Sequence, residues 1–233
     1  MDALNLSKRL ALVASFVPDN ARLADIGSDH AYLPANLLLN QRIAFGIAGE
    51  VAPGPLANVE HEVHKAHLES KLIARLGDGF AAIQPDDAID TVVIAGMGGR
   101  LIADILASGH EQEQNYQRLI LQPNTDVLVV RAWLQANGYA LIDEAIVYED
   151  HHYYEVLVAE PGESHFSDIE LHFGPYHLKR QNSVWQQHWH DELERIQHIL
   201  VRLQAAKKAE SAAYQAYATQ SRQIQEALQY ESK

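Results

Sequence analysis

The chain has 233 residues, 47% of them hydrophobic, enough for one catalytic domain with its own core plus a smaller element. Its 18 Lys+Arg against 31 Asp+Glu give a formal charge of −13, which excludes a generic polyanion binder because phosphate contacts need clustered cations. With no cysteine there is no disulfide framework, thiolate nucleophile or Cys-based zinc site, and no stretch nears the roughly 20 apolar residues that cross a bilayer, so a cytoplasmic protein without membrane association is expected.

Residues 4–16 place Leu6, Leu10, Val13 and Phe16 on one helical face and predict an opening helix. Next comes the short apolar run Arg22–Ser28 ending at a glycine, a helix around Leu33–Leu39, and the extended run Phe45–Val51. The pattern repeats: a helix from about Pro55 to Glu69, a strand within Lys71–Gly79, the β-branched run Thr91–Gly99, another helix, and a strand at Leu119–Asn124. Near-continuous apolar runs of this kind are strands buried on both faces. A helix capped by Asn124 or Thr125 then runs to Gly138. Two further extended runs, Tyr139–Glu149 and Tyr153–Glu160, have too little chain between them for a crossover helix, so they must pair antiparallel. Seven strands, mostly parallel and closed by an antiparallel pair, predict a doubly wound, Rossmann-like α/β sheet that resembles class I methyltransferases; a nicotinamide-binding domain would continue βαβ. Beyond Pro161-Gly162 the texture changes. Apolar residues recur at steps of three and four from Trp185 to Leu203 and from Tyr214 to Leu228, interrupted near Lys207–Ser211, which predicts a coiled-coil helical hairpin. The expected division is a catalytic domain over 1–160 and a helical appendage over 161–233.

The sharpest local feature is Ala24–Pro34, ADIGSDHAYLP. A strand ending in Asp-x-Gly bends where a ligand meets the carboxyl edge of the sheet. The loop is not G-x-G-x-x-G: Asp29 stands where a dinucleotide site needs a second glycine. An anion beside Asp25 and Asp29 would be repelled, whereas the sulfonium and ammonium of S-adenosylmethionine would be attracted. The plainer alternative is an ordinary turn with Ser28 or Asp29 as a helix cap. Glu50 ends the second strand, where an acid can accept protons from ribose hydroxyls, and Asp78, between Gly77 and Gly79, ends the third, where it can accept from an adenine amino group. Singly, each acid reads equally as a cap; at three successive strand ends they outline one nucleoside. The fourth strand ends in Ala95-Gly96-Met97-Gly98-Gly99, either backbone brought close to a transferring methyl or simply a tight turn. Asn124 can orient a substrate or cap the next helix.

Thirteen histidines invite a metal hypothesis, but His61, His64 and His67 alternate with Glu60, Glu62, Lys65 and Glu69 and read as a solvated helix face, so no metal is expected. His30 is set apart by following Asp29 at the active edge. No G-x-S-x-G elbow supports a serine hydrolase.

Taken together, L-S-K-R-L near the start, DIGSDHAYLP, GEV, GDG, IAGMGG, LQPN and the F-G-P-Y of Phe173–Tyr176 resemble the bacterial tRNA (adenine-22-N1)-methyltransferase family, TrmK. The likeness spans nearly the whole chain. It implies an S-adenosyl-L-methionine-dependent enzyme with a C-terminal coiled coil that methylates N1 of adenosine 22 in the tRNA D-arm. On the matching positions, Asp25, Gly27, Glu50 and Asp78 would hold the cofactor, together with the flanking Ser28, His30, Val51, Gly79, Ala95, Gly96 and Met97. Asp29 would be the active-site carboxylate, assisted by Asn124, with Gly98 and Gly99 bordering the base. Adenine N1 keeps an in-plane lone pair at neutral pH, so the reaction needs placement more than a strong base. Enzymes that methylate an exocyclic amine carry Asn/Asp-Pro-Pro-aromatic after the fourth strand, and this chain does not.

The charge is unevenly spread. Residues 1–160 hold 10 Lys+Arg against 22 Asp+Glu, whereas 161–233 hold 8 against 9, so tRNA would meet local patches and not the average surface. Candidate phosphate contacts are Lys179, Arg180, Arg195, Arg202, Lys207 and Lys208, with Lys8, Arg9 and Arg100 in the body; an ordinary solvated face explains them equally. Two rivals remain: the same fold acting on another substrate, and a nonenzymatic S-adenosylmethionine-binding or coiled-coil interaction protein. Oligomeric state is left open.

Overall fold

The computed structural model describes residues 2–112 and 114–230. The chain divides into two compact units, the first ending at His165 and the second beginning at Phe166.

In the first unit seven strands form one sheet: β1 (Ala21–Ile26), β2 (Ile43–Glu50), β3 (Leu72–Leu76), β4 (Thr91–Gly98), β5 (Arg118–Thr125), β6 (Tyr139–Glu149) and β7 (His152–Pro161). Their spatial order is β3-β2-β1-β4-β5-β7-β6. The pairs among β1 to β5 are parallel; β7 is antiparallel to both β5 and β6. This is the doubly wound, Rossmann-like sheet closed by an antiparallel pair that the sequence predicts. β6 and β7 meet in a two-residue turn, Asp150-His151, with φ of 47° and 64°, the left-handed pair whose twist suits a tight hairpin.

Five helices cover the sheet: α1 (Lys8–Ser15), α2 (Tyr32–Leu39), α3 (Pro53–Lys65), α4 (Gly99–Glu111) and α5 (Val127–Ala136). Strand side chains alternate between faces. Val93 and Ile120 join a cluster with Val13 of α1, Leu33 and Leu37 of α2, and Val59 of α3. Val92, Ile94, Leu119 and Leu121 therefore point to the other face, where Ile102, Leu106, Val130 and Leu134 of α4 and α5 are fully buried. Each such side chain contributes roughly 1.5–3 kcal/mol. The direction of progression along the sheet reverses between β1 and β4, so a crevice opens outside their carboxyl ends.

Some helix ends differ from expectation. The opening helix begins at Lys8, not residue 4, because the Asp2 carboxylate accepts the Leu4 and Asn5 N–H groups in a turn, at 2.9 and 2.8 Å, and Ser7 caps the helix through Leu10 N–H. α3 stops at Lys65, ahead of His67, which has φ of 54°. Neither Asn124 nor Thr125 caps α5. Both belong to β5, and the cap position is Asp126 in a left-handed conformation without a side-chain capping bond.

The second unit holds α6 (Asp168–Phe173), α7 (Pro175–Arg180), α8 (Ser183–Ala205) and α9 (Ala212–Leu228). Ser167, Asn182 and Ser211 cap α6, α8 and α9. Gln220 donates to Glu192 at 3.3 Å, and Tyr217 interacts with Arg195. A partner number that falls as the other rises makes α8 and α9 antiparallel, a hairpin. At its base Trp189 meets Phe173 at 4.6 Å, and the Trp185 indole donates to the Phe173 carbonyl at 3.1 Å. Sequence spacing had not indicated α6 and α7 as separate short helices. Among the described residues no helix is long and apolar enough to cross a membrane.

Candidate active site

The carboxyl tip of β1 turns through three left-handed residues, Gly27 (φ 72°), Asp29 (φ 59°) and Ala31 (φ 53°), before α2 begins. Such conformations cost energy in non-glycine residues and persist only where surroundings enforce them. Here β2 does so: the Gly49 carbonyl accepts the Gly27 N–H at 2.9 Å, and the buried Glu50 carboxylate accepts the Asp29 N–H. Glu50 thus fastens the loop. On the other side of the tip, Ser28 Oγ donates to the Asp25 carboxylate at 2.5 Å.

Asp25 is only 5% exposed, and burial pushes its carboxyl up to about 6. The Ser28 hydroxyl pulls it down, the Glu50 charge pushes it up, and the Arg9 guanidinium pulls it down. A buried carboxylate held so far from its ordinary value at a strand tip is a functional-site signature.

Asp25, Gly27 and Ser28 line one cleft with Asp29 and His30, and Ala95, Gly96 and Met97 of β4 form its opposite wall. With Arg9, nine sequence-selected residues are therefore brought together. His30 stacks on Tyr32, with ring centroids 5.2 Å apart. The Asp29 side chain is 73% exposed at the rim. Glu50, Val51, Asp78 and Gly79 lie at the neighbouring strand ends and do not line this cleft; Gly77 N–H donates to the Glu50 carbonyl at 2.8 Å, tying the β3 tip to β2.

The β4 tip is clamped from β5. Gly96 takes φ of 81°, its N–H donates to Gln122 Oε1 at 3.1 Å, and its carbonyl accepts from Asn124 Nδ2 at 2.8 Å. Gln122 is fully buried, and its Nε2 donates to Asn124 Oδ1 at 3.1 Å, closing the ring. Asn124 therefore serves β4 and not a helix start. Gly98 and Gly99 lie outside the cleft: a Cβ on Gly98 would meet Thr125 Oγ1 at 3.4 Å, and one on Gly99 would stand 2.4 Å from the Asp126 carbonyl oxygen. The backbone after β5 passes too close for any side chain at Gly99, so its glycine answers to packing.

Arg9 departs most from the sequence reading. It lines the cleft, with Nη1 donating to Gln122 Oε1 at 2.7 Å and its guanidinium 5.6 Å from the Tyr154 ring. Lys8 is exposed and Arg100 lies 3.7 Å from Asp126 with its side chain 79% exposed. Lys179 and Arg180 lie on α7 of the second unit, both over the Tyr176 ring. Of the histidines, His61, His64 and His67 are exposed, and His64 pairs with Glu69 at 2.7 Å. Sequence reasoning gave Gln122 no role; its signal was only its place beside Pro123 at the end of β5.

The donor set fits S-adenosylmethionine: buried carboxylates at adjacent strand tips suit a cation with hydroxyls, and a glycine bend opens the crevice. Residues 23–228 match the family model for TrmK, tRNA (adenine(22)-N(1))-methyltransferase. The chain is also 44% identical over 216 residues to the tRNA (adenine(22)-N(1))-methyltransferase of Bacillus subtilis, covering 90% of each chain. The chain belongs to the TrmK family. Its fold follows: a Streptococcus pneumoniae structure described as a putative tRNA (m1A22) methyltransferase superposes with a TM-score of 0.91 at 40% identity, over 96% of this chain and 100% of that one. The same protein in complex with S-adenosyl-L-methionine gives 0.88 at 40% identity, over 96% and 100%.

Proposed function

We propose that this TrmK member transfers a methyl group from S-adenosyl-L-methionine to N1 of adenosine 22 in the D-arm of tRNA. The family match across 23–228, through both units, carries the reading. When bound, the cofactor supplies an electrophilic methyl on a sulfonium; the protein has to place it and the base.

In this reading Asp25 and Gly27 receive the aminoacyl end, assisted by Ser28 and His30. Glu50 combines two tasks, fastening the Asp29 loop and accepting from ribose hydroxyls, with Val51 beside it. Asp78 and Gly79 border the adenine. Ala95, Gly96 and Met97 line the path of the methyl. Asp29, exposed at the rim, accepts a hydrogen bond from the exocyclic amine of the target adenine and offsets positive charge as it develops on the ring. Asn124 is a positioning residue that holds the Gly96 carbonyl. The base must leave its stack to enter. Lys8 and Arg100 in the first unit, and Lys179 and Arg180 in the second, meet phosphates; residues 161–233 form the tRNA-contacting appendage to a catalytic domain over 1–160.

Incubation of the purified protein with labelled cofactor and unmodified tRNA, followed by nucleoside analysis, is expected to yield 1-methyladenosine that disappears when position 22 is not adenosine. Label transferred to another nucleoside, or to none, refutes the proposal.

A further inference from the structure

A base drawn out of its stack loses the neighbours on both faces, and a carboxylate at the rim such as Asp29 grips only its edge. β7 runs antiparallel to β5 and β6, so the β6–β7 turn lies at the carboxyl edge of the sheet, the edge that carries the cleft. Close to that turn stand Tyr148, His152, Tyr153 and Tyr154. Tyr148 and Tyr153 are cross-strand partners with ring centroids 4.7 Å apart. Tyr154 points the other way, to the face where Val156 and Val158 pack with Val13 of α1. Gln122 and Asn124 share that face with Ile120. Asn124 and Tyr154 each lie three residues beyond the Leu121–Leu157 pair, so β5 and β7 bring them to one level. The Arg9 guanidinium lies over the Tyr154 ring, 5.6 Å from its centroid, and a Cβ on Gly96 would stand 3.3 Å from Arg9 Nη1. A half-buried ring is thus held beside the cleft, level with the amide that clamps Gly96.

The chemistry of this place suits a base better than a backbone. Glu149 and Asp150 at the turn repel phosphate, whereas a nucleobase stacks on an aromatic ring through its own π-face. His30 and Tyr32, the rings that line the cleft, are stacked on each other at 5.2 Å. We infer that Tyr154 is the stacking surface for the target adenine, taking one face of the flipped base and setting the plane in which N1 meets the methyl beside Gly96 and Met97. This rests on the proposed methylation of adenine N1. It gives the β6–β7 hairpin a part in substrate binding that its sequence position did not suggest.

The test compares the wild type with Tyr154→Leu, which keeps apolar bulk under α1 without a flat ring, and Tyr154→Phe, which keeps the ring. Binding is measured in the presence of S-adenosylhomocysteine, to a tRNA with adenosine at position 22 and to one that is abasic there. Tyr154→Leu is expected to bind the adenosine tRNA roughly 5- to 100-fold more weakly, the worth of one stacked base, and to methylate it more slowly in a single turnover. Its affinity for the abasic tRNA should stay within about twofold of the wild type, and Tyr154→Phe should match the wild type on both. Both variants should bind S-adenosylhomocysteine as the wild type does, which also shows that they fold. Equal weakening toward the two tRNAs assigns Tyr154 to the backbone or to another nucleotide and overturns the inference. Unchanged binding and rate in Tyr154→Leu, or a Tyr154→Phe as impaired as Tyr154→Leu, overturns it too. Lost affinity of Tyr154→Leu for S-adenosylhomocysteine makes the ring a support for Arg9 and does the same. A wild type that makes no 1-methyladenosine refutes the methylation reading itself, a separate result.

Discussion

Asp25 shows how one side chain trades stability for binding. Its carboxyl is raised from 3.8 to about 6, chiefly by burial. The folded state therefore holds the proton more tightly than the unfolded chain, and stability falls as pH rises between those values. Above about pH 6 the ionised group costs up to about 3 kcal/mol. Asp25→Asn, whose amide oxygen can still accept from Ser28, is expected to melt several degrees higher than the wild type at pH 7.5, the gap closing by pH 4. Its affinity for a cationic ligand should fall and lose its pH dependence, whereas wild-type affinity should weaken as pH drops through 6. Calorimetry of both proteins from pH 4 to 8 decides; a variant no more stable at neutral pH would show that the ionised carboxylate carries no penalty. Gly99 makes the contrasting case. A methyl there would sit 2.4 Å from the Asp126 carbonyl oxygen and 2.6 Å from that of Thr125, both backbone atoms. Gly99→Ala should lose about 1–3 kcal/mol in denaturant unfolding, with any loss of activity following the unfolded fraction. That glycine-rich pentapeptide looked uniform in sequence, yet Gly96 faces the cleft and Gly99 faces the β5–α5 backbone, because what separates them is the path of a chain some 26 residues further on.

At the scale of elements, legibility followed how far the determining contacts lay along the chain. Strands buried on both faces announce themselves as apolar runs, so all seven were readable, as was the antiparallel pair, whose short turn left no alternative. Helix ends were less so, being decided by local polar bonds such as Asp2 to Leu4 and Asn5. The acidic tips could be read from their spacing, but the clamp on Gly96 joins it to Gln122 and Asn124, and Arg9 reaches Gln122 across 113 positions. Nothing local signals such pairs. In sequence, Arg9 looks like any cation on an amphipathic helix. The α1 anchor has a consequence of its own. Burial raises the Glu149 carboxyl, but the Arg9 and Lys8 N–H groups and the Ser7 hydroxyl outweigh it, leaving it below the ordinary range. Its contribution is therefore present above the unfolded-state value and lost as pH falls through the lower folded one. Glu149→Gln keeps the shape but loses the charge at a helix N-terminus. It should cost about 0.5–2 kcal/mol, and it should weaken cofactor binding if α1 presents Arg9 to the cleft. Unfolding curves that coincide with the wild type would dismiss the anchor.

For the whole molecule the question is how a protein of charge −13 engages tRNA. Net charge governs long-range approach, but at physiological salt fields decay over about 8 Å, so a few cations at the contact outweigh distant acids. The excess of acid lies in residues 1–160, at −12, whereas 161–233 stand at −1. Lys179 and Arg180 share α7 with the ring of Tyr176 and are the most compact cationic pair in the second unit's sequence apart from Lys207 and Lys208. If phosphates are met there, each contact releases counterions, and the slope of log affinity against log salt falls by roughly 0.7–0.9 for every contact removed. The double variant Lys179→Glu, Arg180→Glu is expected to weaken tRNA binding by at least tenfold at 100 mM salt. It should flatten the salt slope by about 1.4–1.8, raise KM for tRNA with kcat at saturation little changed, and leave affinity for S-adenosylhomocysteine as in the wild type. Filter binding across a salt series separates this from misfolding, because a damaged protein loses ligand and tRNA binding together. An unaltered slope would return these two residues to the solvated helix face that the sequence equally allowed and would leave the docking of tRNA to Lys8 and Arg100 on the first unit.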